Sequence, residues 1–138
     1  MDLIVNTDGA SRGNPGKASY GYVIKTKTGV ILHEEGKYIG LDTNNVAEYT
    51  AVLRALEYIK EKYSKKAPHT IQIVADSLLI ISQLAGKFKI KNPNLKKIFE
   101  KIKIIEMDLG IITYKHVPRA ENFLADRMAN KALDKLLS

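Results

Sequence analysis

Four carboxylates in this sequence are placed where they can act together: Asp8, Glu48, Asp76 and Asp126. Asp8 closes the run Leu3-Ile4-Val5-Asn6-Thr7-Asp8-Gly9, whose branched apolar residues read as a β-strand ending on a carboxylate and a glycine. Asp76 closes a second such run, Thr70-Ile71-Gln72-Ile73-Val74-Ala75-Asp76. Glu48 falls in the first turns of one helical stretch and Asp126 in the early part of another. Open α/β sheets tend to hold ligands where their strands end. Taken singly, each acid has a plain alternative: Asp8-Gly9 starts a turn, and Glu48 compensates the positive end of a helix. Taken together they need a cation, because clustered carboxylates otherwise repel one another and some stay protonated. Hard Mg²⁺ prefers carboxylate oxygens and keeps several of its waters. Two such ions about 4 Å apart can activate a water and stabilise the leaving oxygen in phosphodiester hydrolysis.

Other chemistries find little support. Cysteine is absent, so disulfides and thiolate metal sites are excluded, which fits a reducing, cytoplasmic setting. His33, His69 and His116 lack ligand-like spacing for zinc, and no Ser-His-Asp arrangement competes. No apolar run approaches membrane-spanning length, and the first residues show no signal-peptide pattern. Lysine and arginine number 22 against 15 acids, a net charge of +7 that favours a polyanionic partner, nucleic acid above all.

The elements that must position the four acids follow in order. Residues 3–9, Ser19-Tyr20-Gly21-Tyr22-Val23-Ile24-Lys25-Thr26 and Val30-Ile31-Leu32-His33-Glu34-Glu35 read as a three-stranded antiparallel meander. Between the first two strands, residues 10–17 read as a loop rich in glycine and small polar groups. A helix starts near Asn44-Asn45, with Thr43 or Asn44 as N-cap and Val52, Ala55, Leu56, Ile59 and Tyr63 as its buried stripe. The strand ending at Asp76 then returns by a parallel crossover, which sets Asp76 beside Asp8 if the two strands are neighbours. A short helix from Ser77 stops at Gly86, a second runs from Asn94 to Leu109, and residues 111–117 form the last strand. The final helix starts around Glu121-Asn122 and carries Ala125, Met128, Ala129, Ala132, Leu133 and Leu136 as its core stripe. The order β-β-β-α-β-α-α-β-α predicts a single α/β domain over 1–138: a mixed five-stranded sheet, three strands antiparallel and two parallel, with helices on both faces. Lys87, Lys89 and Lys91 alternate with apolar residues between two helices, a pattern that suits a phosphate backbone or, equally, a solvated edge.

The segments Thr7-Asp8-Gly9-Ala10-Ser11 with Gly13-Asn14-Pro15-Gly16, Thr43-Asn44-Asn45-Val46-Ala47-Glu48, Ala75-Asp76-Ser77, and Val117-Pro118-Arg119-Ala120-Glu121-Asn122 with Ala125-Asp126 resemble type 1 ribonuclease H over essentially the whole chain. The resemblance implies an endonuclease that cuts the RNA strand of RNA/DNA hybrids. It places two Mg²⁺, with Mn²⁺ as substitute, at Asp8, Glu48, Asp76 and Asp126. It further implies that Asn14, Asn44 and Asn45, with backbone around Gly9, Ala10 and Ser11, contact the RNA strand, where 2′-hydroxyls can be read. Thr43 matches the family's phosphate-pocket threonine on the DNA strand. A monomer is expected, with duplex RNA as a further substrate to be tried.

Two departures from the family pattern stand out. The tight Val117–Glu121 connection replaces a glycine-rich loop that carries a histidine in many members, and Arg119 is the nearer candidate for an assisting group. The chain also runs almost directly from Gly86 to Asn94, without the basic helical handle of many cellular members. Two other readings share the fold: a non-catalytic module that binds hybrid or duplex RNA, and a nuclease acting on structured DNA. A pure binder has no use for four anions facing a polyanion, and the asparagine set suits 2′-hydroxyls rather than DNA.

Overall fold

The computed structural model describes residues 1–137. Five strands, β1 (Asp2–Gly13), β2 (Gly16–Thr26), β3 (Ile31–Asp42), β4 (His69–Ala75) and β5 (Gly110–His116), form one sheet in the order β3-β2-β1-β4-β5. The first three pair antiparallel, while β1 with β4 and β4 with β5 pair parallel. Four α-helices accompany them: α1 (Asn44–Lys62), α2 (Leu78–Leu84), α3 (Pro93–Leu109) and α4 (Phe123–Asp134). This is the mixed sheet expected from the sequence. No helix among the described residues is long and apolar enough to cross a membrane.

The two faces of the sheet are packed differently. Leu3, Val5, Tyr20, Tyr22, Ile24, Ile71 and Ile73 join Val52, Leu56 and Ile59 of α1 and Leu95, Ile102 and Leu109 of α3 in the main core. The opposite face carries α4, whose buried residues are Ala125, Ala129, Ala132 and Leu133. Small residues there let α4 lie close against the strands. Gly21 and Gly36, opposed in the β2–β3 register, make this possible: a Cβ on Gly21 would sit 2.4 Å from the Ala125 carbonyl oxygen, and one on Gly36 would sit 2.1 Å from that of Met128. Ser19 Oγ donates to the Ala129 carbonyl at 2.5 Å and fixes the same contact. Because Gly21 opposes Asp8 across β1–β2, the seat of α4 is also what brings Asp126 toward Asp8.

Several boundaries differ from the sequence reading. Asp8 does not end its strand: β1 continues to Gly13 and pairs with β2 out to Gly13↔Gly16, so the expected loop is two strand ends and a tight turn. What ends near Asp8 is the partner, since the β1–β4 ladder stops at Asn6↔Val74. β3 runs on to Asp42, well past Glu35, held by pairing with β2 rather than by an apolar pattern of its own. The final helix begins at Phe123, after a 3₁₀ turn over Arg119–Asn122. Leu136 lies beyond α4 and is 43% exposed, so it is not part of the core stripe. His116, the last residue of β5, is exposed, while Ile112 and Tyr114 are partly buried.

Candidate active site

Glu48 reaches the centre of the molecule because α1 starts where it does. Thr43 caps the helix, its Oγ1 accepting from the Val46 amide at 3.2 Å, and Asn14 at the β1–β2 turn adds a second cap, its Oδ1 accepting from the Asn44 amide at 3.1 Å. The helix then passes so close to β1 that a Cβ on Gly9 would lie 2.3 Å from the Glu48 nitrogen. Glycine at position 9 is therefore what lets Glu48 stand next to Asp8. Asp76 follows the last residue of β4, at the fork where β1 and β4 part. Single oxygens from Asp8, Glu48 and Asp76 lie within 4.8 Å of one another.

The cluster is electrostatically unfavourable as it stands. Asp8 and Glu48 are each only 5% exposed. Burial, followed by the charges of neighbouring acids, pushes Asp8 up to about 8. Glu48 is held well above the usual carboxylate range by burial first and then by Asp8. Gly9 N–H donates to Asp8 Oδ1 at 3.0 Å. Glu48 Oε2 is buried with no partner among the described residues. An orphaned buried carboxylate oxygen facing two further acids fits a hard divalent cation.

Asp126 occupies the first turn of α4 and lines the same cleft, a cavity of about 340 Å³. Asn130, one turn on, donates from Nδ2 to Asp126 Oδ1 at 3.2 Å and so orients the carboxylate. The Arg119 guanidinium stands 3.7 Å from Asp126 Oδ1, rather than pairing with Glu121, and remains 79% exposed. Of the residues singled out in the sequence, Asp8, Glu48, Asp76, Asp126, Arg119, Gly9, Ala10, Ser11 and Asn44 line this cleft. Thr43, Asn14 and Asn45 stand at the start of α1 or beside it. Lys87, Lys89 and Lys91 are exposed on the connection between α2 and α3, and Lys89 borders a separate cavity there with Phe88 and Phe99. No helical handle interrupts that connection. Sequence reasoning gave no role to Asn130, or to the wholly buried Asn122 beyond its motif. A helical i, i+4 spacing from Asp126 was the available signal for Asn130.

A family model described as reverse transcriptase-like matches residues 6–132. The ribonuclease HI of Halobacterium salinarum is 40% identical over 129 residues, covering 92% of this chain and 62% of that protein. A solved ribonuclease H1 named LC11, crystallised with an RNA/DNA hybrid, is 44% identical, superposes with a TM-score of 0.94 and covers 99% of both chains. The chain belongs to the type 1 ribonuclease H family. The solved ribonuclease H1 of the halophile adds a TM-score of 0.90 at 37% identity, covering 98% of this chain and 99% of that one. A bifunctional protein of Mycobacterium tuberculosis is 38% identical over 135 residues, 97% of this chain. The chain spans only 36% of that protein's length. Among the described residues the chain has no helix between α2 and α3 and only a short 3₁₀ turn between β5 and α4.

Proposed function

We propose that this chain is a ribonuclease H, an endonuclease that hydrolyses the RNA strand of RNA/DNA hybrids. The observation that carries this reading is the Asp8–Glu48–Asp76 cluster, with its orphaned Glu48 oxygen, in a cleft that Asp126 also lines. The fold match to a relative crystallised with a hybrid supports the substrate. Asp8, Glu48, Asp76 and Asp126 would hold two Mg²⁺, with Mn²⁺ as substitute. When bound, such a pair supplies an activated water and stabilises the leaving oxygen of an in-line displacement.

The chain's own residues do the rest. Asn130 holds the Asp126 carboxylate in orientation. Gly9, Ala10, Ser11 and Asn44 line the cleft. In this reading they meet the RNA strand together with Asn14 and Asn45, as polar groups suited to 2′-hydroxyls in the wide minor groove. Thr43, at the same helix start, would take a DNA phosphate, its hydroxyl serving as the cap in the free protein. In this reading residues 1–138 form one catalytic domain, which acts as a monomer in the cytoplasm. Light scattering at working concentration checks its mass.

Cleavage of end-labelled hybrid, duplex RNA and duplex DNA, with and without Mg²⁺, tests the assignment. RNA in the hybrid should be cut, leaving 5′-phosphate and 3′-hydroxyl ends, because no attack by the 2′-oxygen is involved. EDTA should silence the reaction, and Mn²⁺ should restore it at least in part. A 2′,3′-cyclic phosphate detected by mass spectrometry rejects the mechanism, and cleavage confined to DNA rejects the substrate.

Arg119 is the assisting group in this reading. Its charge is fixed at any working pH, it stands at the cleft mouth, and the carboxylate beside it is that of Asp126. Arg119→Ala should lower the single-turnover rate by about 10-fold or more. His116→Ala, a change at an exposed strand end, should leave that rate unchanged. The reverse pattern, at saturating Mg²⁺ with both variants folded, removes Arg119 from the site.

Lys87, Lys89 and Lys91 meet the phosphate backbone in place of the missing handle. Their joint replacement by alanine should raise the hybrid KM and flatten its log–log dependence on salt by about one unit for each phosphate no longer neutralised. An unchanged slope assigns the segment to solvent.

A further inference from the structure

Asn6 and Asn122 form a buried amide pair that neither the carboxylate chemistry nor the apolar core accounts for. Asn122 is 0% exposed and Asn6 5%. Asn6 Nδ2 donates to Asn122 Oδ1 at 3.1 Å, and Asn122 Nδ2 donates to the Thr7 carbonyl at 2.9 Å. The location is specific. The parallel ladder between β1 and β4 stops at Asn6↔Val74, and Thr7 is the next residue of β1. Its carbonyl takes a side-chain donor from Asn122 at the point where backbone pairing with β4 has ended. On the other branch, the Val117 amide donates to the Ala75 carbonyl at 3.0 Å. The connection Val117–Asn122 thus bonds to both branches of the fork, to β4 through the Val117 amide and to β1 through the Asn122 side chain. Asp8 directly follows Thr7 on one branch, and Asp76 directly follows Ala75 on the other. Asn122 also immediately precedes α4, and Asp126 comes four residues later, about one helical turn.

The pair is a costly way to fill space. Asn6 Oδ1 is buried without a partner among the described residues. An unsatisfied buried acceptor destabilises a fold, and in a folded protein it calls for a reason. Two apolar side chains would avoid that cost. They would not provide the directional bonds that hold a backbone and a helix start in one relative position, on which a ligand set with narrow tolerances depends.

We propose that the Asn6–Asn122 pair is a positioning wedge. It holds the β1–β4 fork and the start of α4 in one arrangement, and so sets the separations among Asp8, Asp76 and Asp126 at which they take up divalent cations. Neither asparagine touches the cation or the substrate; both are positioning residues. The proposal rests on the nuclease reading for its purpose, but cation uptake can be measured without any cleavage.

Asn6→Leu and Asn122→Ala are compared with the wild type in three ways: thermal unfolding without divalent ions, Mn²⁺ uptake by calorimetry, and the Mg²⁺ concentration giving half-maximal hybrid cleavage. Asn6→Leu removes one orphan acceptor, leaves Asn122 Oδ1 without its donor and keeps the bond from Asn122 to Thr7. Whatever its unfolding temperature, it should bind Mn²⁺ about 10-fold more weakly. Asn122→Ala loses both bonds and should weaken uptake by about 10- to 100-fold, with the half-maximal Mg²⁺ concentration raised to match. If Asn122→Ala does not fold, Asn6→Leu decides by itself. Wild-type Mn²⁺ affinity and wild-type Mg²⁺ dependence in the folded variants, whatever their stability, overturn the proposal. A wild type that binds Mn²⁺ but leaves the hybrid uncut overturns the nuclease reading instead, and the uptake comparison still judges the wedge.

Discussion

Asp8→Asn should abolish hydrolysis of an RNA/DNA hybrid while leaving hybrid binding intact or stronger. Asp8 lies at the centre of the cluster: an oxygen of it, of Glu48 and of Asp76 lie within 4.8 Å of one another. The amide has the same shape as the carboxylate, so no cavity opens. It lacks the charge that attracts a hard cation and offers a neutral oxygen in its place. The rate loss should be on the order of 10³-fold, the scale on which removing a group aimed at reacting charge is felt. Binding should not fall, because one fewer anion then faces the phosphates. Single-turnover cleavage and fluorescence anisotropy in the presence of Ca²⁺ measure the two effects separately. Full-rate cleavage by Asp8→Asn in Mg²⁺ would sink the role given to Asp8.

The second large effect concerns stability against pH without divalent ions. Asp8 is pushed from an ordinary 3.8 up to about 8, chiefly by burial, and Glu48 is raised as well, by burial and by Asp8. Between those values the folded protein keeps a proton that the unfolded chain has already lost. Stability therefore falls as pH rises through this window: the contribution is complete below about pH 4 and lost above about pH 8. At 1.36 kcal/mol per unit, the shift at Asp8 corresponds to an upper bound on the order of 6 kcal/mol. In EDTA the melting temperature should drop between pH 5 and 8.5, and Asp8→Asn should flatten that slope and melt higher than wild type at pH 8.5. Mg²⁺ should restore most of the loss at high pH, since binding to the folded state alone stabilises it. A melting temperature that rises over this range in EDTA contradicts the clustering of the acids.

Much of the architecture was readable in the chain. The apolar runs 3–7 and 70–75 are two strands of the sheet, and the stripes at Val52, Leu56 and Ile59 and at Leu95, Ile102 and Leu109 are the buried faces of α1 and α3. Periodicity carries such information because each residue's burial is set by its place within one element. Boundaries controlled by a partner were harder to read. The second half of β3, through Gly36, Gly40 and Asp42, has little strand signal of its own and is held by pairing with β2. The 3₁₀ turn at Arg119–Asn122 is pinned by the bond from Asn122 to Thr7, a contact spanning 115 positions that no local pattern encodes.

The sequence by itself determined the kind of chemistry: four acids in or beside apolar strands and early in helices, no cysteine, a basic balance, and short motifs in the order of one family. Residue type and local spacing are enough for that, because a carboxylate offers hard oxygen donors whichever element carries it. The tertiary structure alone decided which acids meet and how closely. It shows Asp8, Glu48 and Asp76 in mutual contact range, and Asp126 at the side of the cleft with Arg119 and Asn130. It also shows that bare positions govern these approaches: Gly9 admits α1 on one face, while Gly21 and Gly36 admit α4 on the other. Register between distant strands and the seating of a helix on a sheet depend on contacts between residues far apart in the chain. A missing Cβ or a buried amide therefore acquires its meaning only when its neighbour across the fold is known.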